Sequence, residues 1–159
     1  MFRTFITTII AVVTITFSYP SWSYDAAIAN GFNSMFAPVK GAAVGKHLHL
    51  IPPEKFVAKV NKNQPMMVVD VRTPAETSVL GITLTGSKSI PLAELFKPAN
   101  LQSLPKNKPV IIVCQSGVVA TAAGTALRYS GFKNVFILKG GIKGLVSYMG
   151  AKQVNPVKK

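Results

Sequence analysis

The sequence predicts an α/β fold with a doubly wound, mostly parallel sheet that carries helices on both faces. Three apolar runs, at residues 66–71, 110–113 and 135–138, are unbroken apart from Asp70, as is typical of strands covered on both faces. Segments with a helical pattern alternate with these runs at the spacing of such a sheet. The chain has 159 residues, of which 48% are hydrophobic, so we expect one domain with a substantial core and flanking segments.

The first segment, residues 1–23, has the pattern of a secretory signal peptide. Arg3 supplies the positive start, residues 5–17 are apolar and uncharged, and Ser21 and Ser23 are small residues before a cleavage point. We expect a periplasmic or secreted protein with no stable membrane insertion after processing. The alternative is an uncleaved anchor, although the apolar run is short for a span of about 20 residues.

The mature chain is expected to divide into three parts. Residues 24–45 form an N-terminal extension, residues 46–150 a single domain, and residues 151–159 a basic tail. The extension lacks a sustained period, but its large apolar side chains predict a short helix that packs on the domain, namely Phe32, Met35 and Phe36.

The domain begins with an edge strand and a helix. Residues 46–51 alternate in polarity, which predicts the strand and puts His47 and His49 on one of its faces. Two histidines without a third ligand do not make a metal site, so we interpret them as exposed edge residues. The helix starts at two prolines and runs to about residue 60, with three side chains facing inward: Phe56, Val57 and Val60.

A buried strand follows at residues 66–71 and ends in the sequence Asp-Val-Arg-Thr-Pro-Ala-Glu, residues 70–76. We then predict a short strand at residues 90–92, a helical turn at 93–96, and a polar connection at 98–108 that has a proline near each end.

The central feature is a strand, a loop and a helix at residues 110–131. The strand ends at the one cysteine of the protein, Cys114, and Gly131 suits the end of the helix. Five side chains recur at helical spacing and predict the inner face of the helix: Val119, Ala122, Ala123, Ala126 and Leu127. A tight loop at a helix start turns backbone N–H groups inward and favours a thiolate, so we expect Cys114 to be reactive.

The last strand is predicted at residues 135–138, followed by Gly140 and Gly141. Glycines here allow the backbone to approach the Cys114 loop closely. A closing helix carries Leu145, Val146 and Met149.

These motifs together resemble the rhodanese-like domains. Cys114 and Gly117 fit the family's Cys-x-x-Gly-x-Arg loop, residues 70–76 resemble its Asp-Val-Arg-x-x-x-Glu signature, and the paired glycines follow its last strand. The sequence departs from the family at three places that often hold Arg, His and Trp, which here are Val119, Thr83 and Leu145. The resemblance covers about residues 46–150 and implies a five-stranded sheet.

The resemblance implies sulfane-sulfur transfer. Cys114 takes sulfur from thiosulfate or a persulfide, holds it as a persulfide, and passes it to a thiol or cyanide, without a metal or organic cofactor. The predicted substrate-binding residues are five from the loop, which offer backbone N–H groups: Gln115, Ser116, Gly117, Val118 and Val119. The sixth is Arg72, whose positive charge can attract an anion. Because the loop itself has no Arg or Lys, weak turnover of a dianionic donor is expected.

Two other functions stay open at this point. One is a sulfur carrier or partner-binding module without turnover. The other is the related phosphatase or arsenate reductase chemistry, which requires an Arg where this chain has Ala120. Removal of Arg3 with the predicted signal peptide leaves 17 basic and 5 acidic residues, and the resulting net charge of +12 favours an acidic redox or sulfur-carrier protein as partner. Nucleic acid is not expected, because the basic residues are scattered singly rather than in a run or arm.

Overall fold

The computed structural model describes residues 24–150, which fold around one five-stranded sheet. The strands are β1 (Leu50–Ile51), β2 (Met67–Asp70), β3 (Lys88–Ser89), β4 (Val110–Val113) and β5 (Val135–Leu138). They lie in the order β1-β5-β4-β2-β3, and every pair is parallel. The predicted α/β class is therefore confirmed, with a sheet that is parallel throughout.

Helices cover both faces of the sheet. They are α1 (Ala26–Phe36), α2 (Val44–His47), α3 (Pro53–Asn61), α4 (Pro74–Val79), α5 (Leu92–Leu95), α6 (Pro98–Gln102), α7 (Val118–Tyr129) and α8 (Gly141–Met149), with a short 3-10 turn at Gly41–Ala43. In the described residues no helix has both the length and the apolar character needed to cross a membrane.

The sheet separates two apolar layers, and this explains why the central strands are unbroken apolar runs. On one side Val69 and Ile112 pack with Leu127 of α7. On the other side Val68 and Ile111 pack in a cluster that includes Phe56 of α3 and Ile142 of α8. Alternate residues of a strand point to opposite faces, so a strand that is covered on both sides has no polar face.

The predicted strand at residues 46–51 is wrong over most of its length. Residues 44–47 form α2, and only Leu50 and Ile51 pair with β5, at the edge of the sheet as expected. The chain turns at His49, which has a left-handed backbone with φ of 58°. His47 and His49 therefore do not share a strand face, and both are half-buried rather than exposed.

Two further boundaries differ from the sequence prediction. The strand expected at residues 90–92 lies at Lys88–Ser89 instead, because α5 already begins at Leu92. The polar connection at residues 98–108 contains α6, which starts at a proline and directs Leu101 onto the core, with Leu104 fully covered beyond its end.

Helix α7 has the predicted extent, but the inner face predicted for it is wrong by one residue. The buried residues are Ala120, Ala123, Gly124 and Leu127, whereas Val119 and Ala122 are exposed and Ala126 is half-buried. The helix lies close to the sheet at Gly124, where an added Cβ would be 2.6 Å from Cγ1 of Ile137. Small residues therefore form the contact face and leave the larger Val119 outside it.

The N-terminal extension forms α1, which packs on α7. The Phe32 ring stacks on Tyr129 with 4.2 Å between ring centroids, and the Tyr129 hydroxyl donates to the Ile28 carbonyl at 3.1 Å. At the other end of the domain, α8 directs Leu145 inward but leaves Val146 and Met149 half-exposed. The predicted signal peptide at residues 1–23 and the basic tail at residues 151–159 lie outside the described residues.

Candidate active site

Cys114 directly follows β4, at the carboxyl edge of the parallel sheet. Its side chain is 3% exposed. The Cys114 sulfur Sγ accepts the backbone N–H of Gly117 at 3.1 Å and that of Ala120 at 3.3 Å. The sulfur therefore lies in a cradle of main-chain donors, and such a cradle stabilises negative charge on sulfur.

The start of α7 supplies both donors. Gly117 precedes the first helical residue and has φ of 90°, a conformation that a residue with a side chain rarely adopts. The first N–H groups of a helix have no carbonyl partner inside the helix, and that of Ala120 finds the sulfur instead. The positive end of the helix dipole thus faces Sγ.

The start of α8 forms the other wall of the loop. The N–H of Ile142 donates to the Cys114 carbonyl and that of Lys143 to the Gln115 carbonyl, both at 2.9 Å. Gly141 makes this approach possible, because a Cβ there would lie 2.2 Å from the Cys114 carbonyl oxygen and 2.7 Å from the Gly117 nitrogen. The expectation that the paired glycines allow close contact with the loop is confirmed.

Arg72 reaches the same edge from β2, but Asp70 holds its guanidinium. Asp70 and Arg72 are both buried, with Nη2 of Arg72 2.6 Å from Oδ2 of Asp70 and Nε within 3.1 Å of both carboxylate oxygens. The hydrogen bond to Asp70 raises the pKa of Arg72 above its usual value, against the opposing effect of burial. Nη2 also donates to the Leu80 carbonyl at 2.6 Å, and Nη1 to Oε1 of Gln115 at 3.3 Å.

The structure brings the predicted site residues together at this edge but gives them different surroundings. Gly117 is buried under the sulfur, Gln115 and Ser116 are exposed, and Val118 and Val119 are 73% and 42% exposed. Gly117 is the member of the predicted set whose N–H contacts Sγ.

Sequence reasoning missed Ala120 as a donor, because it considered this position only as the place of an absent arginine. The available signal was its distance from the cysteine. A residue in the first turn of a helix that starts after a three-residue loop directs its N–H back toward the start of the loop.

Metal ligands are sparse around the site. Within residues 24–150, no three His, Cys, Asp or Glu side chains come close enough to hold a metal ion. Cys114 is a free thiol.

A family model of the rhodanese-like domain matches residues 52–148. The chain belongs to this family. The match includes the Cys114 loop, the Asp70–Arg72 pair and the two glycines at the start of α8.

Relatives of this rhodanese-like protein include a thiosulfate sulfurtransferase. That protein, GlpE from Pseudomonas fluorescens, is 34% identical over 93 residues, which cover 58% of this chain and 80% of the relative. The tRNA uridine(34) hydroxylase of Pelagibacter ubique is 31% identical over 103 residues, which cover 65% of this chain but 34% of the relative. The chain thus spans about a third of that longer protein.

Solved structures give the same result. The rhodanese-like domain protein from Staphylococcus aureus is 29% identical, with a TM-score of 0.53, and the match covers 60% of this chain and 89% of that one. Family membership and the sulfurtransferase relative together support sulfur transfer as the general chemistry of this rhodanese-like protein.

Proposed function

We propose that this protein transfers sulfane sulfur through a persulfide on Cys114. The observation that carries the proposal is the pair of N–H donors on Sγ, from Gly117 at 3.1 Å and Ala120 at 3.3 Å. A nucleophilic cysteine must be stabilised as a thiolate, and the persulfide that it forms needs the same stabilisation on its outer sulfur. We expect further loop N–H groups between Gln115 and Val119 to contact the outer sulfur of the longer persulfide.

The proposed reaction has two displacement steps. In the first, the Cys114 thiolate attacks the outer sulfur of the donor, the sulfur–sulfur bond of the donor breaks, and the leaving group departs with the electron pair. With thiosulfate as donor the leaving group is sulfite, and with a persulfide it is the parent thiolate. In the second, a thiolate or cyanide attacks the terminal sulfur of the Cys114 persulfide, which releases a new persulfide or thiocyanate and restores the thiolate.

The charge around the loop favours a persulfide over thiosulfate as the better donor. Arg72 is the cation that the family signature brings to the site, and Asp70 neutralises it through three contacts of at most 3.1 Å. A dianion at the loop therefore interacts with backbone dipoles and with Nη1 of Arg72, which also donates to Oε1 of Gln115. The name of the thiosulfate sulfurtransferase relative keeps thiosulfate in the proposal as a slower donor.

A sulfur carrier or partner-binding module is the second candidate. The exposed Val118 and Val119 flank the loop, so a protein partner has apolar surface to contact beside Cys114. Without the predicted signal peptide and its Arg3, the net charge of +12 suits an acidic redox or sulfur-carrier protein. The pattern of residues 1–23 further leads us to propose that the protein acts in the periplasm or outside the cell.

Intact mass measurement tests the proposal. The purified protein is incubated with thiosulfate or with a small persulfide, and its mass is recorded before and after a thiol is added. We expect a gain of one sulfur atom that the thiol removes. Cys114→Ser, which keeps the size and the loop donors, is the control and should gain nothing.

The kinetics of the second step separate the two candidates. An enzyme reloads and discharges repeatedly, so thiol persulfide accumulates in excess of the protein. A carrier releases at most one sulfur per chain. No mass gain with either donor would contradict both forms of sulfur chemistry.

A further inference from the structure

A cavity of about 470 Å³ lies between α3 and the β1 edge of the sheet. Its floor is apolar and includes Leu50, Ile51, Ile111 and Phe136. None of its lining residues belongs to the Cys114 loop or to the Asp70–Arg72 pair, so it is separate from the candidate active site. Its volume is in the range of cavities that hold small molecules.

The rim of this cavity is strongly basic. Lys46, Lys55, Lys59 and Lys139 line it, and no carboxylate does. In residues 24–150 the ion pairs are Arg72–Asp70 and Lys97–Glu94, so all four ammonium groups keep their charge unneutralised. Lys59 donates to Oε1 of Gln64 at 2.8 Å, which fixes its direction without neutralising it. Like charges gathered around a low-dielectric floor attract an anion more strongly than scattered surface lysines.

The aromatic wall is held rigidly. His49 has a left-handed backbone with φ of 58°, its Nδ1 donates to the Val135 carbonyl at 2.9 Å, and its ring stacks on Phe136 with 5.0 Å between centroids. Burial lowers the pKa of His49, against the opposing effect of the Val135 hydrogen bond. A left-handed residue other than glycine is uncommon and is kept only where the surrounding structure fixes it.

We propose that this cavity binds an amphipathic organic anion. The apolar body of the ligand lies on Leu50, Ile111 and Phe136, and its carboxylate, sulfonate or phosphate group lies among the four lysines. The charge selects an anion over a neutral molecule, and the apolar floor selects an organic anion over an inorganic one. The inference is independent of sulfur transfer, because it uses no residue of the Cys114 site.

The test uses the full chain and two fluorescent probes with the same ring skeleton. Anilinonaphthalene sulfonate carries a negative charge, and N-phenylnaphthylamine carries none. At low salt we expect saturable binding of the anion at one site, about tenfold tighter than that of the neutral probe, because several cations act together on one charge. Equal affinity for the two probes would overturn the role of the lysines.

Matched lysine variants locate the site. Lys55→Gln combined with Lys139→Gln should lower the affinity for the anionic probe about tenfold and the affinity for the neutral probe less than twofold. Lys62→Gln combined with Lys88→Gln removes the same charge from exposed positions outside the cavity and should change neither affinity by more than about twofold. Equal losses in the two double variants would show that net charge alone attracts the probe, and would overturn the site.

A filling variant tests the cavity itself. Gly45 lines it, has an ordinary φ, and has no atom within 4 Å of an added Cβ, so Gly45→Leu should fold normally and occupy the mouth. Binding of both probes should fall at least tenfold, with an unchanged Tm. Unchanged binding to a folded Gly45→Leu would place the probes elsewhere and contradict the proposal.

Discussion

Val119 is the residue at which this chain departs most consequentially from its family. Arg is frequent at this place, and here the side chain is apolar and 42% exposed. Because it lies outside the contact face of α7, a larger side chain fits there. Donor choice can therefore be tested without disturbing the core.

We predict that Val119→Arg raises kcat/KM for thiosulfate more than for an uncharged persulfide. A guanidinium beside Cys114 adds a charge-assisted contact to the dianion, which is worth about 1.5–3 kcal/mol or roughly ten- to a hundredfold. The ratio of the two specificity constants is the quantity to measure.

Val119→Gln is the control for size without charge, and it should leave that ratio near the parent value. If Val119→Arg folds with an unchanged Tm and the ratio stays constant, the absent arginine does not set donor choice.

Gly141 is the residue on which the geometry of the Cys114 loop most depends. We predict that Gly141→Ala lowers the free energy of unfolding by about 2–5 kcal/mol. The left-handed φ of 57° accounts for about 1–2 kcal/mol of this, and the overlap of the new Cβ with the Cys114 carbonyl for about 1–3 kcal/mol. Urea unfolding measures the change, and sulfur loading should fall with it because the loop is displaced.

Gly131→Ala separates the two effects. Gly131 also has a positive φ, of 101°, but nothing lies within 4 Å of an added Cβ. Gly131→Ala should therefore lower the free energy of unfolding only by the backbone contribution of about 1–2 kcal/mol. Equal losses in the two variants would argue against close packing of α8 on the loop.

At the scale of elements, α1 is a helix that is loosely attached to the domain. None of its residues is buried, and its described contacts with α7 include the Phe32–Tyr129 stack and the Tyr129–Ile28 hydrogen bond. Segments with few buried contacts open without unfolding of the core.

We predict that Phe32→Ala raises amide exchange in α1 roughly tenfold and leaves exchange in β4 and β5 unchanged. An aromatic pair is worth about 0.5–1.5 kcal/mol beyond the area it buries. Hydrogen exchange with mass or NMR detection measures both regions in one sample.

Phe36→Ala is the matched control, because the Phe36 ring is 40% exposed and contacts Phe32 rather than Tyr129. Its effect should be smaller. A parallel rise in the exchange of β4 would mean that α1 unfolds together with the core.

At the scale of the whole molecule, charge is the dominant feature. The chain has 18 Lys and Arg against 5 Asp and Glu, and one of the two ion pairs in residues 24–150 is buried. Repulsion among the remaining cations disfavours the compact state.

We predict that NaCl stabilises the protein. Raising it from about 0.01 M to about 1 M shortens the screening distance from roughly 30 Å to about 3 Å. We expect a rise in Tm of a few degrees, since about 1 kcal/mol corresponds to roughly 2–8 °C for a small domain.

Lys62→Glu combined with Lys88→Glu lowers the net charge by four and should reduce this dependence on salt. A Tm that falls as NaCl is added would contradict the prediction.

The sequence by itself determined the class of the fold and predicted the location of the candidate site. Unbroken apolar runs require strands covered on both faces, and a cysteine at the end of such a strand lies at the edge where parallel sheets bind ligands. The position of β5 and the extent of α7 also followed, since Gly131 readily adopts the left-handed φ, here 101°, that commonly ends a helix.

The tertiary structure decided which groups contact the sulfur. Gly117 and Ala120 donate to Sγ from the start of α7, and the packing of α8 at Gly141, a contact between segments distant in sequence, holds the loop in this position. The same packing decided that the inner face of α7 carries Ala120 instead of Val119. Local patterns fix periodicity and chain direction, whereas the rotation of a helix and the aim of an N–H depend on what lies across the interface.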